Sequence, residues 1–301
     1  MVQWLRKFLS AFLMALAPHK RSGTLARLAL WLDKKNLMAL RVLYLKEHKD
    51  FSNMLRLGEV LQLGLHDSQL ARLAEQYFLH SRAQRFQELH FLKLFPQYEQ
   101  KSGYFVEIGV GDGTHLSNSF LFEKALGWSG LLVEPNPDCW ERIGAARDAL
   151  LDKRAAWSSG GGSLKFFCAD TPEYSGMASV VQVGDKSGRE IEVPIAQTED
   201  VLIAHGVPDH IPFISIDTEG SELEVLKGID FSRRTFDFLC IEHNHRSAQQ
   251  DALIKFLSAS GYEVVQPEFS GIDYWFVRVG HDERVALAAE AAEDADEPLL
   301  I

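Results

Sequence analysis

The spacing of apolar residues changes character near residue 104. Between residues 25 and 95, apolar residues recur at intervals of three and four, as in Leu70, Leu73 and Tyr77, which is the periodicity of amphipathic helices. After residue 104, short apolar runs alternate with helical stretches, a pattern typical of an α/β protein with a mostly parallel sheet. We therefore predict a helical cap or appendage of three to five helices within residues 1–100, and an α/β domain over residues 101–280.

Seven apolar runs in the second region are candidate strands. Several are apolar at every position, as strands must be when helices cover both faces of a sheet. They span residues 104–108, 130–133, 152–156, 213–216, 236–241, 263–265 and 274–279. The stretch SSGGGSLKFF, residues 158–167, predicts a turn into an inserted antiparallel strand. Residues 281–301 are rich in alanine and acids, which indicates a flexible tail or a solvated helix.

Composition and charge narrow the class of protein. The chain has 301 residues, of which 46% are hydrophobic, so it can bury a substantial core. Its three cysteines form no CxxC pair, which favours neither a disulfide framework nor a zinc site and fits a reducing cytoplasm. The net charge of −11 divides into +7 for residues 1–100 and −18 for the remainder. An acidic main domain argues against tight binding of nucleic acid, because phosphates would be repelled.

The first twenty residues, MVQWLRKFLSAFLMALAPHK, combine basic and apolar positions. Trp4, Phe8 and Phe12 fall at helical spacing, with Arg6 and Lys7 beside them. We favour an amphipathic helix that packs on the protein or on a partner. Association with a membrane surface and a cleaved signal peptide are the alternatives. The expected location is the cytoplasm, and association with a membrane through this helix is the alternative.

The stretch FVEIGVGDGTH places Gly109, Gly111 and Gly113 directly after the first predicted strand. Glycine permits positive φ and lets the backbone approach a ligand, and this turn lies where open α/β sheets bind ligands. The third glycine comes one residue too early for a dinucleotide fingerprint, which disfavours a nicotinamide cofactor. Glu107, at the end of the strand, would repel a pyrophosphate and suits a cation. The ligand indicated is S-adenosylmethionine.

Further candidates for cofactor binding follow the next strands. Glu134 stands 21 residues after Gly113, close to the separation expected for an acid that accepts hydrogen bonds from ribose hydroxyls. Asn136, from the same VEPNP segment, is assigned to the cofactor site with it. Trp157 follows the third predicted strand, where an adenine ring would lie, and ordinary packing is the alternative for this residue.

The stretch FISIDTEGSELEVLKGIDF, with Asp217, Glu219 and Gly220, closely resembles the signature of the FkbM-type methyltransferases. The similarity covers about residues 103–278 and includes the VEPNP and IEHNH segments. It implies a class I, Rossmann-like methyltransferase fold, with a seven-stranded sheet whose last strand is antiparallel. It also implies S-adenosylmethionine as donor and an oxygen as methyl acceptor. Glu107 and Asp112 stand where the family often has Asp and Asn, and the region before residue 100 lies outside the family pattern.

Catalytic candidates come from two strand ends. Asp217 and Glu219 leave the carboxyl end of a central strand and are assigned to catalysis and substrate binding, and Asp217 is also assigned to the cofactor. His243 is the leading candidate for the base that accepts the proton of an alcohol. A histidine that only hydrogen-bonds the adjacent loop is the alternative for it, and His245 is the second candidate base. Glu222 is interpreted as a helix-start residue.

No metal ligands are assigned. A divalent ion held by Asp217, Glu242 and His243 is the less favoured alternative. The sequence therefore predicts an S-adenosylmethionine-dependent O-methyltransferase whose acceptor is a hydroxyl of a sugar, glycolipid or polyketide-like small molecule. The competing hypothesis is a scaffold that binds the cofactor and has lost catalysis, and that acts in assembly through its basic helical region.

Overall fold

The structure is a computed structural model and describes residues 67–77, 80–181, 184 and 187–281. The predicted basic N-terminal helix and acidic tail lie outside these residues, apart from His281. Contacts divide the chain into two compact units, Met1–Leu79 and His80–Ile301. None of the helices in the described ranges is both long and apolar enough to cross a bilayer.

In the first unit the described residues form helix α1, Ser68–Tyr77. Asp67 precedes it, and its Oδ1 accepts the backbone N–H groups of Gln69 and Leu70, each at 3.0 Å. A side-chain oxygen in this position satisfies donors that the first helical turn leaves without partners. Leu70 and Leu73 are buried, so the helix and its apolar face agree with the predicted periodicity.

The second unit is built on a seven-stranded sheet. Its strands lie in the order β10 (Tyr262–Val265), β11 (Asp273–Arg278), β9 (Thr235–Glu242), β8 (His210–Ile216), β1 (Tyr104–Ile108), β2 (Ser129–Val133) and β3 (Leu150–Asp152). Strand β11 is antiparallel to both of its neighbours, and every other pair in this sheet is parallel. The α/β class, the seven strands and the antiparallel last strand agree with the expectation from the sequence.

One face of this sheet carries a row of aromatic rings. Phe105, Phe213 and Phe238 are register neighbours on β1, β8 and β9. Helix α2, Gln87–Leu94, covers them with Phe91, whose ring centroid lies 5.5 Å from that of Phe213 in an edge-on arrangement. Such aromatic pairs add about 0.5–1.5 kcal/mol to the free energy of burial.

The compact unit therefore begins at His80, before the boundary that the sequence predicts near residue 100. Helix α2 is not part of a separate cap within the described residues, because Phe91 packs on the sheet. Helical periodicity looks the same in a cap helix and in a helix that covers a sheet, so the sequence pattern does not distinguish the two.

The opposite face of the sheet packs against other helices. Val106, Ile214 and Leu239 belong to one buried cluster together with residues of the covering helices. These helices are α5 (Thr198–Ala204), α6 (Glu222–Lys227) and α7 (Ser247–Ala259). The unit also contains helices α3 (Phe120–Lys124), α4 (Trp140–Ala146) and α8 (Pro267–Ser270), and short 3₁₀ turns at Pro96–Glu99 and Pro172–Tyr174.

A second sheet has the strand order β4 (Ala155–Trp157), β7 (Gly188–Gln197), β5 (Ser163–Ala169) and β6 (Gly176–Met177). Strand β5 is the predicted inserted antiparallel strand. Strand β7 is not among the predicted strands, although its Ile191, Val193 and Ile195 alternate with other residues. Pro194, which lies within this alternating run, is a residue that argues against a strand.

The prediction of one strand over residues 152–156 is wrong, because this stretch contains the end of β3 and the start of β4, which belong to different sheets. Asp152 ends β3, and its carboxylate accepts the backbone N–H of Arg154 at 2.8 Å and the Arg154 guanidinium at 2.6 Å. This local turn ends the pairing with β2 and directs the chain into β4, which pairs with β7. Apolar pattern alone carries no sign of such a turn.

Candidate cofactor-binding and catalytic site

Two adjoining cavities lie at the carboxyl ends of β1, β2 and β8. Strand β1 is the point at which the order of the sheet reverses, which is where open α/β sheets bind ligands. The first, here called the apolar cavity, spans about 400 Å³, and the second, the loop cavity, about 560 Å³, and both volumes include space that is open to solvent. Gly109, Glu134, Ser175 and Asp217 line both cavities.

The three glycines of the loop after β1 have positive φ values of 85°, 55° and 81°. A Cβ atom at Gly109 would overlap the carbonyl oxygen of Asp217, so this glycine permits the close approach of two strand ends. Gly113 packs against Ile143 of α4. Gly111 lines the loop cavity, and a Cβ atom there would meet nothing within 4 Å. Of the three, Gly111 is thus the one whose missing side chain leaves space at the cavity.

Glu134 follows β2 and is 4% exposed. Its Oε2 accepts the N–H groups of Val110 and Gly111 at 3.0 and 2.8 Å, and its Oε1 accepts the N–H of Asn136 at 2.8 Å. Burial raises the pKa of Glu134 to about 7, against the lowering effect of these three donors. The carboxyl therefore fixes the glycine loop and lines both cavities. Its contact with ribose hydroxyls, expected from its spacing in the sequence, stays a prediction.

Glu107 lines the loop cavity, but its carboxylate is held by the segment that follows the glycine loop. It accepts the hydroxyls of Ser117 and Ser119 at 2.8 and 2.5 Å and the N–H of Asn118 at 2.7 Å. The buried guanidinium of Arg147 lies 3.8 Å away. Glu107 is thus largely neutralised by the protein itself. Sequence reasoning missed Arg147, whose position just after a short helix gives no local sign of this contact.

Arg147 ties this loop region together. Its guanidinium donates to Gly113 O at 2.9 Å and to the hydroxyls of Ser117 and Ser119 at 3.0 and 2.9 Å, and it pairs with Glu123 at 2.7 Å. The side chain is fully buried. We infer that it fixes the shape of the loop on which the cavity depends, because a planar guanidinium holds several acceptors in one fixed geometry.

Three residues assigned to the cofactor from the sequence, Gly113, Asn136 and Trp157, line neither cavity. Asn136 is buried, and its Nδ2 donates to the Ser175 hydroxyl at 3.3 Å, so its contacts are internal. Trp157 packs against the core of the second sheet, in agreement with the alternative of ordinary packing. The apolar cavity is lined instead by residues that the sequence analysis did not assign to the cofactor, among them Ala155, Ala156 and Phe166.

Carboxyl groups converge at the ends of β8 and β9. Asp217 and Glu242 each follow one of the paired residues Ile216 and Ile241, and Glu219 lies two residues beyond Asp217. One carboxylate oxygen from each of Asp217, Glu219 and Glu242 lies within 4.8 Å of the other two. Glu219 has a φ of 56°, in the left-handed region that side chains other than glycine rarely adopt. Strain of this kind concentrates at functional sites.

Burial perturbs the protonation of this acidic cluster. It raises the pKa of Asp217 well above its usual value, and the charges of Asp273, Glu222 and Glu219 act in the same direction. Burial also raises the pKa of Glu242 far above that of an ordinary glutamate, and the Asp217 carboxylate adds to the effect. Perturbation of this size in a cleft marks a candidate functional site.

His243 does not reach either cavity. It is 2% exposed, its Nδ1 accepts the backbone N–H of His245 at 3.0 Å, and its ring centroid lies 4.3 Å from that of Tyr274 in a tilted arrangement. Burial lowers the pKa of His243, which favours the neutral ring. This placement favours the interpretation of a histidine that hydrogen-bonds the adjacent loop. His245 likewise lines neither cavity.

Glu222, at the first position of α6, holds the loop that carries Asp217 and Glu219. Its Oε1 accepts the N–H groups of Thr218 and Gly220, both at 2.9 Å. The side chain is completely buried. These contacts agree with the helix-start interpretation and leave Asp217 and Glu219 as the acids of this loop that line the loop cavity.

A seven-stranded sheet of this order, with a glycine loop after β1 and an acid after β2, has the architecture of the class I S-adenosylmethionine-dependent methyltransferases. The family described as Methyltransferase FkbM domain matches residues 107–264, which is more than half of the chain. The chain belongs to this family of methyltransferases.

Three solved structures show a limited similarity to this chain. The METTL16 MTase domain is 11% identical with a TM-score of 0.39, and the alignment covers 64% of this chain and 66% of that one, just under two thirds. The N-terminal domain of human METTL16 in complex with SAH is 14% identical, with coverages of 64% and 69% and a TM-score of 0.36. Precorrin-6y C5,15-methyltransferase from Geobacter metallireducens GS-15 is 15% identical, with coverages of 59% and 72% and a TM-score of 0.34. No curated protein sequence matches the chain significantly.

Proposed function

We propose that the protein transfers the methyl group of S-adenosylmethionine to a hydroxyl oxygen of a small molecule of the sugar, glycolipid or polyketide type. The observation that supports this acceptor is the carboxylate lining of the loop cavity, to which Asp217, Glu219 and Glu173 contribute. Carboxylates accept hydrogen bonds from hydroxyl groups and repel phosphates. A neutral polyol or alcohol is therefore a better match for the cavity than a nucleic acid.

Three features of the described residues fit the cofactor: Glu134, the apolar cavity and the space at Gly111. An ionised carboxylate offers about four acceptor positions, and Glu134 uses three for backbone N–H groups, so it keeps capacity for a ribose hydroxyl. The apolar cavity, lined by side chains such as Phe166 and Met177, suits an adenine ring. The open space at Gly111 is the part of the loop that a side chain would fill.

When bound, S-adenosylmethionine supplies a methyl carbon attached to a sulfonium. The acceptor oxygen forms the new C–O bond as the C–S bond breaks, and S-adenosylhomocysteine leaves. The hydroxyl proton passes to a base. Asp217 is our candidate for this base. Its position between the two cavities places it beside both the cofactor region and the acidic lining.

Isotope-labelled methyl transfer tests this function. The protein is incubated with methyl-labelled S-adenosylmethionine and an extract of the source cells, and labelled products are identified by mass spectrometry. The inactive reference is Gly111→Asn, which adds a side chain at the cavity. The matched control is Gly127→Asn, at a second glycine with positive φ, 67°, and nothing within 4 Å of an added Cβ. Asparagine tolerates this backbone conformation, so both variants should fold.

We expect an O-methylated product with the wild type and Gly127→Asn, and background labelling with Gly111→Asn. Label on nitrogen or carbon would refute the O-methyl assignment. Binding of S-adenosylhomocysteine in calorimetry without any transfer would instead favour the scaffold hypothesis. Lack of binding by a folded wild-type protein would contradict the cofactor assignment itself.

A further inference from the structure

The acidic cluster at the ends of β8 and β9 has a geometry that one ion can satisfy. Oxygen ligands of Mg²⁺ and Ca²⁺ lie about 2.0–2.6 Å from the ion, so two ligands of one ion are separated by at most about 5 Å. The ligand oxygens of Asp217, Glu219 and Glu242 lie within 4.8 Å of one another. Three carboxylates from two adjacent strand ends therefore lie within reach of a single cation.

A second observation concerns Glu242. Its side chain is aimed into this cluster, it is 4% exposed, and its Oε2 has no hydrogen-bond partner among the described residues. Leaving a buried polar atom without a partner costs about 1–3 kcal/mol, and more for a charged group. The orphaned oxygen thus calls for a partner that the described part of the chain does not supply.

The carboxyls of Asp217 and Glu242 share a side-chain hydrogen bond with each other. Within the ranges that the structure describes, no lysine, arginine or histidine lies at ion-pair distance from the carboxyl of Asp217 or Glu242. Asp273 adds another buried acid, since it is the register partner of Glu242 on β11. Burial raises the pKa of Asp273 also, although Gln87 donates to its carboxylate. Either protons or a cation must neutralise this group of acids.

We propose that Asp217, Glu219 and Glu242 bind a divalent cation of the hard, oxygen-preferring class, such as Mg²⁺ or Mn²⁺. Carboxylate oxygens are the ligands this class prefers. The ligand set differs from the alternative considered from the sequence. His243 is replaced by Glu219, because the Nδ1 of His243 accepts a backbone N–H and the histidine is not among the groups whose ligand atoms lie within 4.8 Å of one another.

The position of the site suggests its use, which rests on the proposed hydroxyl methylation. Asp217 and Glu219 line the loop cavity, so an ion between them would contact a molecule in that cavity. A bound cation orients an acceptor hydroxyl and polarises its O–H bond. It would also neutralise acids that otherwise hold protons, and so leave Asp217 ionised.

Binding of Mn²⁺ to the full-length chain, measured by the loss of the EPR signal of free Mn²⁺, tests the site without any methyl transfer. We expect one saturable ion per chain, displaced by Mg²⁺. The variant Glu242→Gln should weaken the affinity by at least about 10- to 100-fold, the loss that changes around metal ligands typically cause. The control Glu190→Gln removes an equal charge from an exposed ion pair in β7, with Lys165 at 3.3 Å, and should leave the affinity unchanged.

Denaturant unfolding shows that each variant is folded, and Asp217→Asn replaces Glu242→Gln if the latter is not. Unsaturable binding, or equal losses in Glu242→Gln and Glu190→Gln, would overturn the site. A protein that binds Mn²⁺ as expected but methylates no hydroxyl would keep the site and refute the proposed function. A protein that methylates a hydroxyl in the presence of a chelator and binds no Mn²⁺ would support the proposed function and refute the cation site.

Discussion

The affinity for S-adenosylhomocysteine should depend on pH through Glu134. In the ligand-free protein, burial raises the pKa of this carboxyl to about 7. Ribose hydroxyls donate hydrogen bonds to the ionised form, so the bound ligand should lower that pKa. If the pKa of the complex falls below about 5, linkage predicts that lowering the pH from about 7.5 to about 6.0 weakens binding about eightfold, which is about 1.2 kcal/mol.

Titration calorimetry at the two pH values measures this ratio. The variant Glu134→Gln should bind more weakly and lose the pH dependence. Its amide NH₂ would face one of the backbone N–H donors that now point to the carboxylate, at a cost of about 1–3 kcal/mol. His115 also lines the loop cavity, so His115→Asn is the control, and it should retain the eightfold ratio. An affinity that is constant, or that increases at pH 6.0, would refute the reasoning.

The free energy of unfolding of the ligand-free protein should decrease as the pH rises, whereas the affinity for S-adenosylhomocysteine should increase. The folded pKa of about 7 lies above the ordinary value of 4.5, so protons bind the folded form more tightly. This contribution is fully present below about pH 4.5 and is lost as the pH rises through about 7, and it amounts to about 3 kcal/mol at most. Denaturant unfolding of the wild type and Glu134→Gln at several pH values isolates it. A difference between them that does not change with pH would contradict the assignment.

Two further predictions concern buried charges. In a denaturant titration, the variant Arg147→Met should lower the free energy of unfolding by about 3–5 kcal/mol, because it leaves buried carboxylates without their cation. The control Arg189→Met breaks an exposed ion pair and should change the free energy of unfolding by less than about 1 kcal/mol. Equal effects of the two variants would contradict the role of burial. With a chelator present, Asp217→Asn should raise the melting temperature more at pH 8.5 than at pH 5.5. The pKa of Asp217 is raised in the folded protein, so the wild type loses stability as the pH rises through that pKa, whereas the asparagine variant does not. A melting temperature that the substitution lowers equally at both pH values would contradict this prediction.

Features encoded in short stretches of sequence were predicted well. The strand 104–108, the glycine loop and the spacing to Glu134 follow from local residue order, and the structure places them as expected. The direction of a side chain at a strand end was less accessible. His243 and Trp157 both follow or end strands near the site, yet neither lines a cavity. Whether such a residue faces a ligand depends on register and on the loop beyond it, which one sequence does not specify.

The pairing of distant residues was the other missing element. Arg147 lies 40 residues after Glu107 in the sequence and 3.8 Å from it in space, and nothing in either local sequence announces the contact. The division between β3 and β4 depends likewise on the contact of Asp152 with Arg154, which an apolar pattern does not record. Hydrophobic periodicity reports which face is buried, whereas these contacts depend on individual polar atoms.

Three buried glutamates at the site show how such contacts decide chemistry. Glu107 has three hydrogen-bond donors and a nearby guanidinium. Glu134 has three backbone donors and no cation among the described residues. Glu242 has a buried oxygen with no donor at all in that part of the chain. Because burial costs each carboxylate a similar loss of hydration, the need for an outside partner increases from Glu107 to Glu134 to Glu242. This order agrees with a structural role for Glu107 and with the roles that we propose for Glu134 toward cofactor hydroxyls and for Glu242 toward a cation.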